Sequence, residues 1–248
     1  MSQKERIERI LKILRENGYV NVTYLCEKLG YSKATVNRDL NVMVGQKLIL
    51  RSYGGIELIE KQSVPLKFRY HKMKNEKKRM CKAAAELVKS GDVIFIDSSS
   101  TTEYLAPYLA DKSNITVITS NMAIVEYLSD FTDIRAICLG GEIMESPSML
   151  GGDLCAKNAM GYKADKFFFS TASINDSGEI GGGGLYSLLL NIMAHNSEQV
   201  IYLADHQKVN LQAKCVVMTV DDVDVVITDH VFEDWFKEKY KQVTFIEV

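Results

Sequence analysis

Two amphipathic runs meet at Gly30-Tyr31-Ser32, and a join that short leaves them few ways to pack. Before it, Leu25, Cys26 and Leu29 share one side of a short helix, for which Thr23 is the expected N-cap and Gly30 the stop. After it, Ser32 caps a helix from Lys33 to about Gly45, with Val36, Leu40 and Met43 at i, i+4 and i+7 turned inward. A helix over residues 4–17, carrying Ile7, Ile10, Leu11 and Leu14 and closed by Gly18, precedes them. Two extended runs follow, Lys47–Arg51 and Ile56–Ile59, around Ser52-Tyr53-Gly54-Gly55, where two glycines supply the positive φ of a hairpin turn. Helix, helix, turn, helix, hairpin is the order of a winged helix-turn-helix.

The inward set of the third helix leaves Lys33, Ala34, Asn37, Arg38 and Asn41 on its other side. Those side chains suit the major groove of duplex DNA, where Arg and Lys meet guanine edges or phosphates and Asn reads adenine. Thr35 and Tyr53 can donate to phosphate oxygens, and Arg51 on the hairpin can meet an adjacent groove. With Ser32, these nine residues are the expected DNA contacts. A polar helix face without a partner is the bland alternative, but it leaves the tight turn, the cap and the glycine hairpin unexplained.

Charge points the same way. The chain has a formal net charge of −2, yet residues 1–90 hold 20 Lys and Arg against 9 Asp and Glu, and the remainder 10 against 23. Such asymmetry suits a basic part that meets a polyanion. Residues 61–90 contribute much of the excess, which a solvated basic helix would also explain.

At 248 residues the chain suits a small domain plus a medium one. Pro65 opens a basic segment, Leu66 to Lys89, readable as one long helix or two shorter ones. From Gly91 onward short β-branched runs alternate with helical ones: Val93–Ile96, Ile115–Thr119, Ile134–Leu139, Lys166–Phe169, Val200–Leu203, Cys215–Val220 and Val225–Thr228. Helical patterns lie near Glu103–Ala110, Met122–Ser129 and Leu185–His195. Apolar strands alternating with helices predict a mostly parallel α/β sheet covered on both faces. The expected organisation is a DNA-binding winged helix at 1–60, a basic helical linker at 61–90 and an α/β domain at 91–248.

One strand of that domain ends at Asp97 and enters Ser98-Ser99-Ser100-Thr101-Thr102 before a helix near Glu103. Helix N-terminal N–H groups with Ser and Thr hydroxyls make a phosphate cradle, although an ordinary cap needs only one of them. Thr119-Ser120-Asn121 precedes a helix at Met122 and is a weaker candidate, since one cap accounts for it. Gly181–Gly184 is followed by Leu185-Tyr186-Ser187, which is wrong for a nucleotide-binding Walker loop. It reads as a flexible loop.

Five scattered cysteines and four dispersed histidines show no metal-ligand spacing, so no metal and no cofactor are expected. The opening residues lack a signal peptide's apolar core, no run is long enough to span a bilayer, and the expectation is a cytoplasmic protein with reduced thiols.

Ser32-Lys33-Ala34-Thr35-Val36-Asn37-Arg38-Asp39-Leu40 and Leu50-Arg51-Ser52-Tyr53-Gly54-Gly55 resemble the DeoR family of bacterial sugar-metabolism repressors. That family's recognition helix reads Ser-x-x-Thr-Ile/Val-Arg-Arg-Asp-Leu and its wing Arg-x-His/Tyr-Gly-Gly. Asn37 stands where the first arginine usually is. The family's C-terminal domain resembles ribose phosphate isomerase and the CoA transferases. The resemblance implies effector-binding residues at Asp97, Ser98, Ser99, Ser100, Thr101 and Thr102, at Thr119, Ser120 and Asn121, at Gly140 and Gly141, and at Lys208 in Asp205-His206-Gln207-Lys208. Each group follows an expected strand, where open α/β sheets place ligands. Family members often carry acidic residues where this chain has Gly181–Gly184.

Two rivals stand beside a sensor. An isomerase with an appended DNA-binding domain needs a carboxylate base beside its phosphate site. The isomerases carry an Asp-Gly-Ala-Asp-Glu run after the strand that here is Lys166–Phe169, whereas this chain has Ser170-Thr171-Ala172-Ser173-Ile174. Asp97 and Glu142 remain as candidate bases. The second rival is a constitutive DNA binder whose larger domain only oligomerises. The preferred reading is a homo-dimer or homo-tetramer that binds paired half-sites of a double-stranded operator and responds to a small phosphorylated metabolite, with no membrane partner.

Overall fold

The computed structural model describes residues 2–17, 19–46, 48–52, 55–58, 73–144, 146, 148–182, 187–212 and 215–248. The chain divides into two compact units, residues 1–63 and 64–248.

In the first unit the helices are α1 (Gln3–Asn17), α2 (Val22–Leu29) and α3 (Lys33–Gly45). The strands β1 (Tyr19–Val20), β2 (Ile49–Ser52) and β3 (Gly55–Leu58) form an antiparallel sheet in the order β1-β3-β2. Ser52 opposes Gly55, while the turn residues 53–54 lie outside the described residues. The helix before the turn starts earlier than expected. Asn21, not Thr23, is its N-cap and accepts from the Tyr24 N–H at 2.8 Å, in keeping with the better capping of Asn. Gly30 closes that helix at φ +72°, the left-handed conformation that favours glycine. Ile10, Leu14, Leu25, Val36, Leu40, Met43, Ile49 and Ile56 are buried together as one core.

The first described helix of the second unit is α4 (Lys74–Glu86), whose Met80, Cys81, Ala84 and Ala85 are buried. These side chains pack with Ile94, Ile96, Leu105 and Ile124, so this stretch of the expected linker is instead a core helix of the larger unit. The remainder of that segment, residues 61–72, lies outside the described residues.

A seven-stranded sheet follows, ordered β15-β14-β12-β9-β4-β5-β6 and parallel throughout. Its strands are β4 (Val93–Ile96), β5 (Ile115–Thr119), β6 (Ile134–Cys138), β9 (Ala164–Phe169), β12 (Ser197–Ala204), β14 (Val225–Thr228) and β15 (Thr244–Glu247). Alternation along the strands serves two cores. Ile94, Ile96, Ile201 and Leu203 face α4, a short helix α5 (Ala106–Leu109) and α6 (Met122–Leu128). Phe95, Phe167, Phe169 and Tyr202 face α7 (Gly152–Ala159), α8 (Ser187–His195) and α9 (Asp234–Lys239).

One expected strand is placed differently. Val216–Thr219 (β13) pairs antiparallel with β11 (Glu179–Gly181), which pairs with β10 (Ser173–Ile174), in a separate three-stranded sheet. The short strands β7 (Glu142–Ile143) and β8 (Leu150–Gly151) form a further antiparallel pair.

The chain runs from β4 through β5 to β6 at one edge, then returns to β9 beside β4 and proceeds to the other edge. The reversal between β4 and β9 is a topological switch point, where loops from the two halves of the sheet diverge and open a crevice.

Candidate functional site

Each unit carries one candidate site. In the first, Ser32 Oγ accepts from the Thr35 N–H at 3.3 Å and lies 3.0 Å from Thr35 Oγ1, so its oxygen is engaged in starting α3. Lys33, Ala34, Arg38, Asn41 and Arg51 are exposed, and Thr35 and Asn37 half-buried. Tyr53 lies outside the described residues.

Helix α3 is held by an ion pair that the sequence spacing does not announce. Arg6 on α1 donates through Nε to Asp39 Oδ2 at 2.7 Å and through Nη2 to Oδ1 at 3.1 Å, and Gln3 Nε2 adds a bond to Oδ1 at 3.0 Å. The Arg6 guanidinium also lies over the Tyr31 ring, in the turn itself. Beside that guanidinium, the buried Asp39 carboxyl is held below its ordinary range. Arg51 makes a second link, donating through Nη2 to Asn37 Oδ1 at 2.6 Å and through Nη1 to Asn41 Oδ1 at 3.1 Å.

In the larger unit, hydrogen bonds tie together three of the four expected groups, which lie at strand ends. Ser98 Oγ is 2.5 Å from Ser120 Oγ, joining the loops after β4 and β5. Lys208, in the turn after β12, donates to Thr101 Oγ1 at 3.0 Å and to Ser170 Oγ at 2.6 Å, and lies 3.6 Å from Asp205. Gly140 and Gly141 follow β6 at φ +71° and +119°. A Cβ at Gly141 would collide with the Gly151 carbonyl oxygen and press on Cys155 Cβ at 2.9 Å, so the glycine is required by close backbone approach.

The hydroxyl loop differs in one respect from a helix N-terminus cradle. After it comes a turn of 3-10 helix, Thr102–Leu105, then only the four residues of α5. The Thr102 and Glu103 N–H groups are satisfied inside the loop by Ser99 Oγ and the Ser99 carbonyl. Asp97 is fully enclosed and faces its own loop, accepting from Thr102 Oγ1 at 2.5 Å, Ser99 Oγ at 2.9 Å and the Ser170 N–H at 3.4 Å. Burial pushes its carboxyl up to about 6, against the opposing effect of those bonds. Thr119 and Asn121 serve the next loop. Thr119 Oγ1 accepts from the Asn121 N–H, Asn121 Oδ1 caps α6, and Asn121 Nδ2 donates to Glu103 at 2.9 Å.

Two contributors were not legible as site residues. Lys77 on α4 is 4 % exposed and donates to Ser100 Oγ at 3.0 Å. Ser170 Oγ accepts from Lys208 and donates its own O–H to the Leu203 carbonyl at 2.5 Å. Among the described residues nothing accepts from the backbone N–H groups of Ser100 and Thr101, both buried. A buried turn thus carries two open N–H donors between two lysines. That combination has the chemistry of an anion site. No group of three potential metal ligands occurs among the described residues, and no described helix is long and apolar enough to cross a membrane.

A winged helix-turn-helix joined to an α/β unit with polar strand-end loops defines a DNA-binding transcriptional regulator with an attached sensor. Residues 6–62 match the DeoR-like helix-turn-helix domain, and residues 72–230 match the DeoR C terminal sensor domain. The chain belongs to the DeoR family of transcriptional regulators. It is similar to the glycerol-3-phosphate regulon repressor of Escherichia coli, 28 % identical over 92 % of each chain. It is also similar to the repressor GlcR of Bacillus subtilis, 28 % identical over 92 % of this chain and 89 % of that one. A solved ribose 5-phosphate isomerase from Methanocaldococcus jannaschii aligns with 18 % identity over 55 % of each chain at a TM-score of 0.40, a likeness that adds nothing to the assignment. The isomerase alternative falls away. The chain is a regulator and not an enzyme.

Proposed function

We propose that this regulator represses genes of carbohydrate metabolism and that a phosphorylated sugar, or a similar small phosphate ester, binds at the switch point of the larger unit. The observation that carries the reading is the pair of open N–H groups on Ser100 and Thr101, flanked by Lys77 and Lys208. Buried donors of this kind are costly unless something accepts from them, and a phosphate oxygen supplies the acceptor while its charge answers the lysines. The relatives point the same way, since one is named for a glycerol 3-phosphate regulon and another, in Lactococcus lactis, for a lactose phosphotransferase system.

On this reading Ser98, Ser99, Thr102 and Asp97 build the loop, Ser100, Thr101 and Lys208 meet the phosphate, and Thr119–Asn121 with Gly140 and Gly141 shape the adjoining wall. The DNA-reading side chains are those of α3 and β2. A symmetric dimer or tetramer would set two such helices against paired half-sites. The ligand regulates only if its affinity differs between the two DNA-binding states. The test is a thermal-shift screen of sugar phosphates against the matching unphosphorylated sugars and inorganic phosphate. The phosphorylated members should stabilise the protein and change its operator affinity. Stabilisation by the plain sugars to the same extent would contradict a phosphate-centred site.

A further inference from the structure

The fork from Arg51 to Asn37 and Asn41 has consequences for which bases this chain reads. A guanidinium has five donors and no acceptor, so the amide atom facing it on each asparagine must be the oxygen. Both bonds terminate on Oδ1, at 2.6 and 3.1 Å. Asn37 and Asn41 are one helical turn apart on α3, so a single planar fork can tie both amides at once. Each oxygen keeps a second lone pair, but the fork sets the direction in which the amide points, oxygen toward Arg51 and the two N–H donors of Nδ2 away from it. Bidentate reading of adenine needs both amide atoms turned to one base edge, the oxygen accepting from N6 while the nitrogen donates to N7, and an oxygen held toward Arg51 opposes that turn.

We propose that Arg51, Asn37 and Asn41 act as one base-reading unit, in which Arg51 is a positioning residue that turns both amides donor-outward toward guanine N7 and O6. This rests on α3 being the helix that meets DNA. The unit depends on Asn37 in particular. An arginine there would set a second guanidinium against Arg51, and two donors-only groups cannot bond each other.

The test is selection of operator half-sites from a randomised duplex library with the full-length protein, followed by affinity measurements on the selected site. The parent should select guanine at the base pairs contacted by Asn37 and Asn41. Arg51→Ala should relax that choice toward adenine, because released amides can rotate. Arg51→Lys should behave like Arg51→Ala, since one ammonium cannot span two amide oxygens in fixed geometry. In a double-mutant cycle, Arg51→Ala combined with Asn37→Ala should cost at least tenfold less than the product of the two single losses. Unchanged base preference in Arg51→Ala, or losses that simply multiply, would overturn the proposal. Arg38→Ala separates the two levels. If it weakens binding while the cycle is multiplicative, only the composite unit fails. If no α3 substitution changes affinity, the reading face fails and the proposal with it.

Discussion

Lys208 lies 3.0 Å from Thr101 and 2.6 Å from Ser170, side chains far apart in the chain that meet at the ends of β4, β9 and β12. One ammonium therefore draws three strand ends together at the place where the sheet's winding reverses. Replacing it removes a charge from the candidate anion site without opening either apolar core.

The close passage of Gly141 beneath Gly151 gives a prediction about stability. Gly141→Ala adds a methyl group at φ +119° against a carbonyl oxygen that cannot retreat without moving the start of α7. It should lower the melting temperature of the larger unit by several degrees, whereas Gly91→Ala, also at positive φ but with open space around it, should cost less. Equal losses would show that backbone conformation, not the close approach, sets the requirement.

Asp97 and Asp39 make opposite contributions to pH dependence. Burial raises Asp97 to about 6, so between about pH 4 and 6 the folded state holds a proton that the unfolded chain releases. Its contribution should favour folding increasingly as pH falls through 6, by an amount on the order of 3 kcal/mol. Stability of the larger unit, measured by denaturant from pH 7 to 4, should show that rise relative to Asp97→Asn. Parallel curves would contradict the burial argument.

Asp39 is held low by Arg6, so its contribution is present above the ordinary carboxylate range and lost as pH falls below about 4. The amide signals of α3, followed by NMR, should therefore broaden or vanish on acidification at a higher pH in Arg6→Gln than in the parent. The same acid midpoint in both would mean that the ion pair does not secure the helix.

Sequence reasoning reached α3 closely because its polar and apolar residues separate cleanly and Ser32 marks its start. Six of the sheet's seven strands are legible as short apolar runs such as Val93–Ile96, as strands buried on both faces should be, while the edge strand β15 is not among the expected runs. What it missed depends on tertiary neighbours. The apolar face of α4 consists of Met80, Cys81, Ala84 and Ala85, mostly small side chains set among Lys74, Lys77, Lys78, Arg79 and Lys82, so charge masked its periodicity. The burial of Lys77 beside Ser100 follows from that docking and left no local mark. In the sequence Ser170 marks only a missing carboxylate, whereas in the fold it receives Lys208. The Arg6–Asp39 pair joins separate helices, and nothing in either one's spacing announces the other.

On the DNA side, Arg38 is exposed on α3 beside the Arg51 fork. Arg38→Ala should weaken binding to the selected operator by roughly 1–3 kcal/mol and relax sequence preference if it reads a guanine edge. Competition between specific and non-specific duplexes at one fixed salt concentration measures both. An equal loss on all sequences would assign Arg38 to the phosphate backbone instead.

Under the proposed function, an anion held at the Ser100–Thr101 turn controls DNA binding. The most direct test is operator affinity with and without the sugar phosphate that most stabilises the parent, measured for the parent and for Lys208→Ala. The parent should change its operator affinity at least tenfold. Lys208→Ala should match the parent's affinity without ligand and show no change when ligand is added. A variant that responds as fully as the parent, or one that loses operator binding without any ligand, would contradict it.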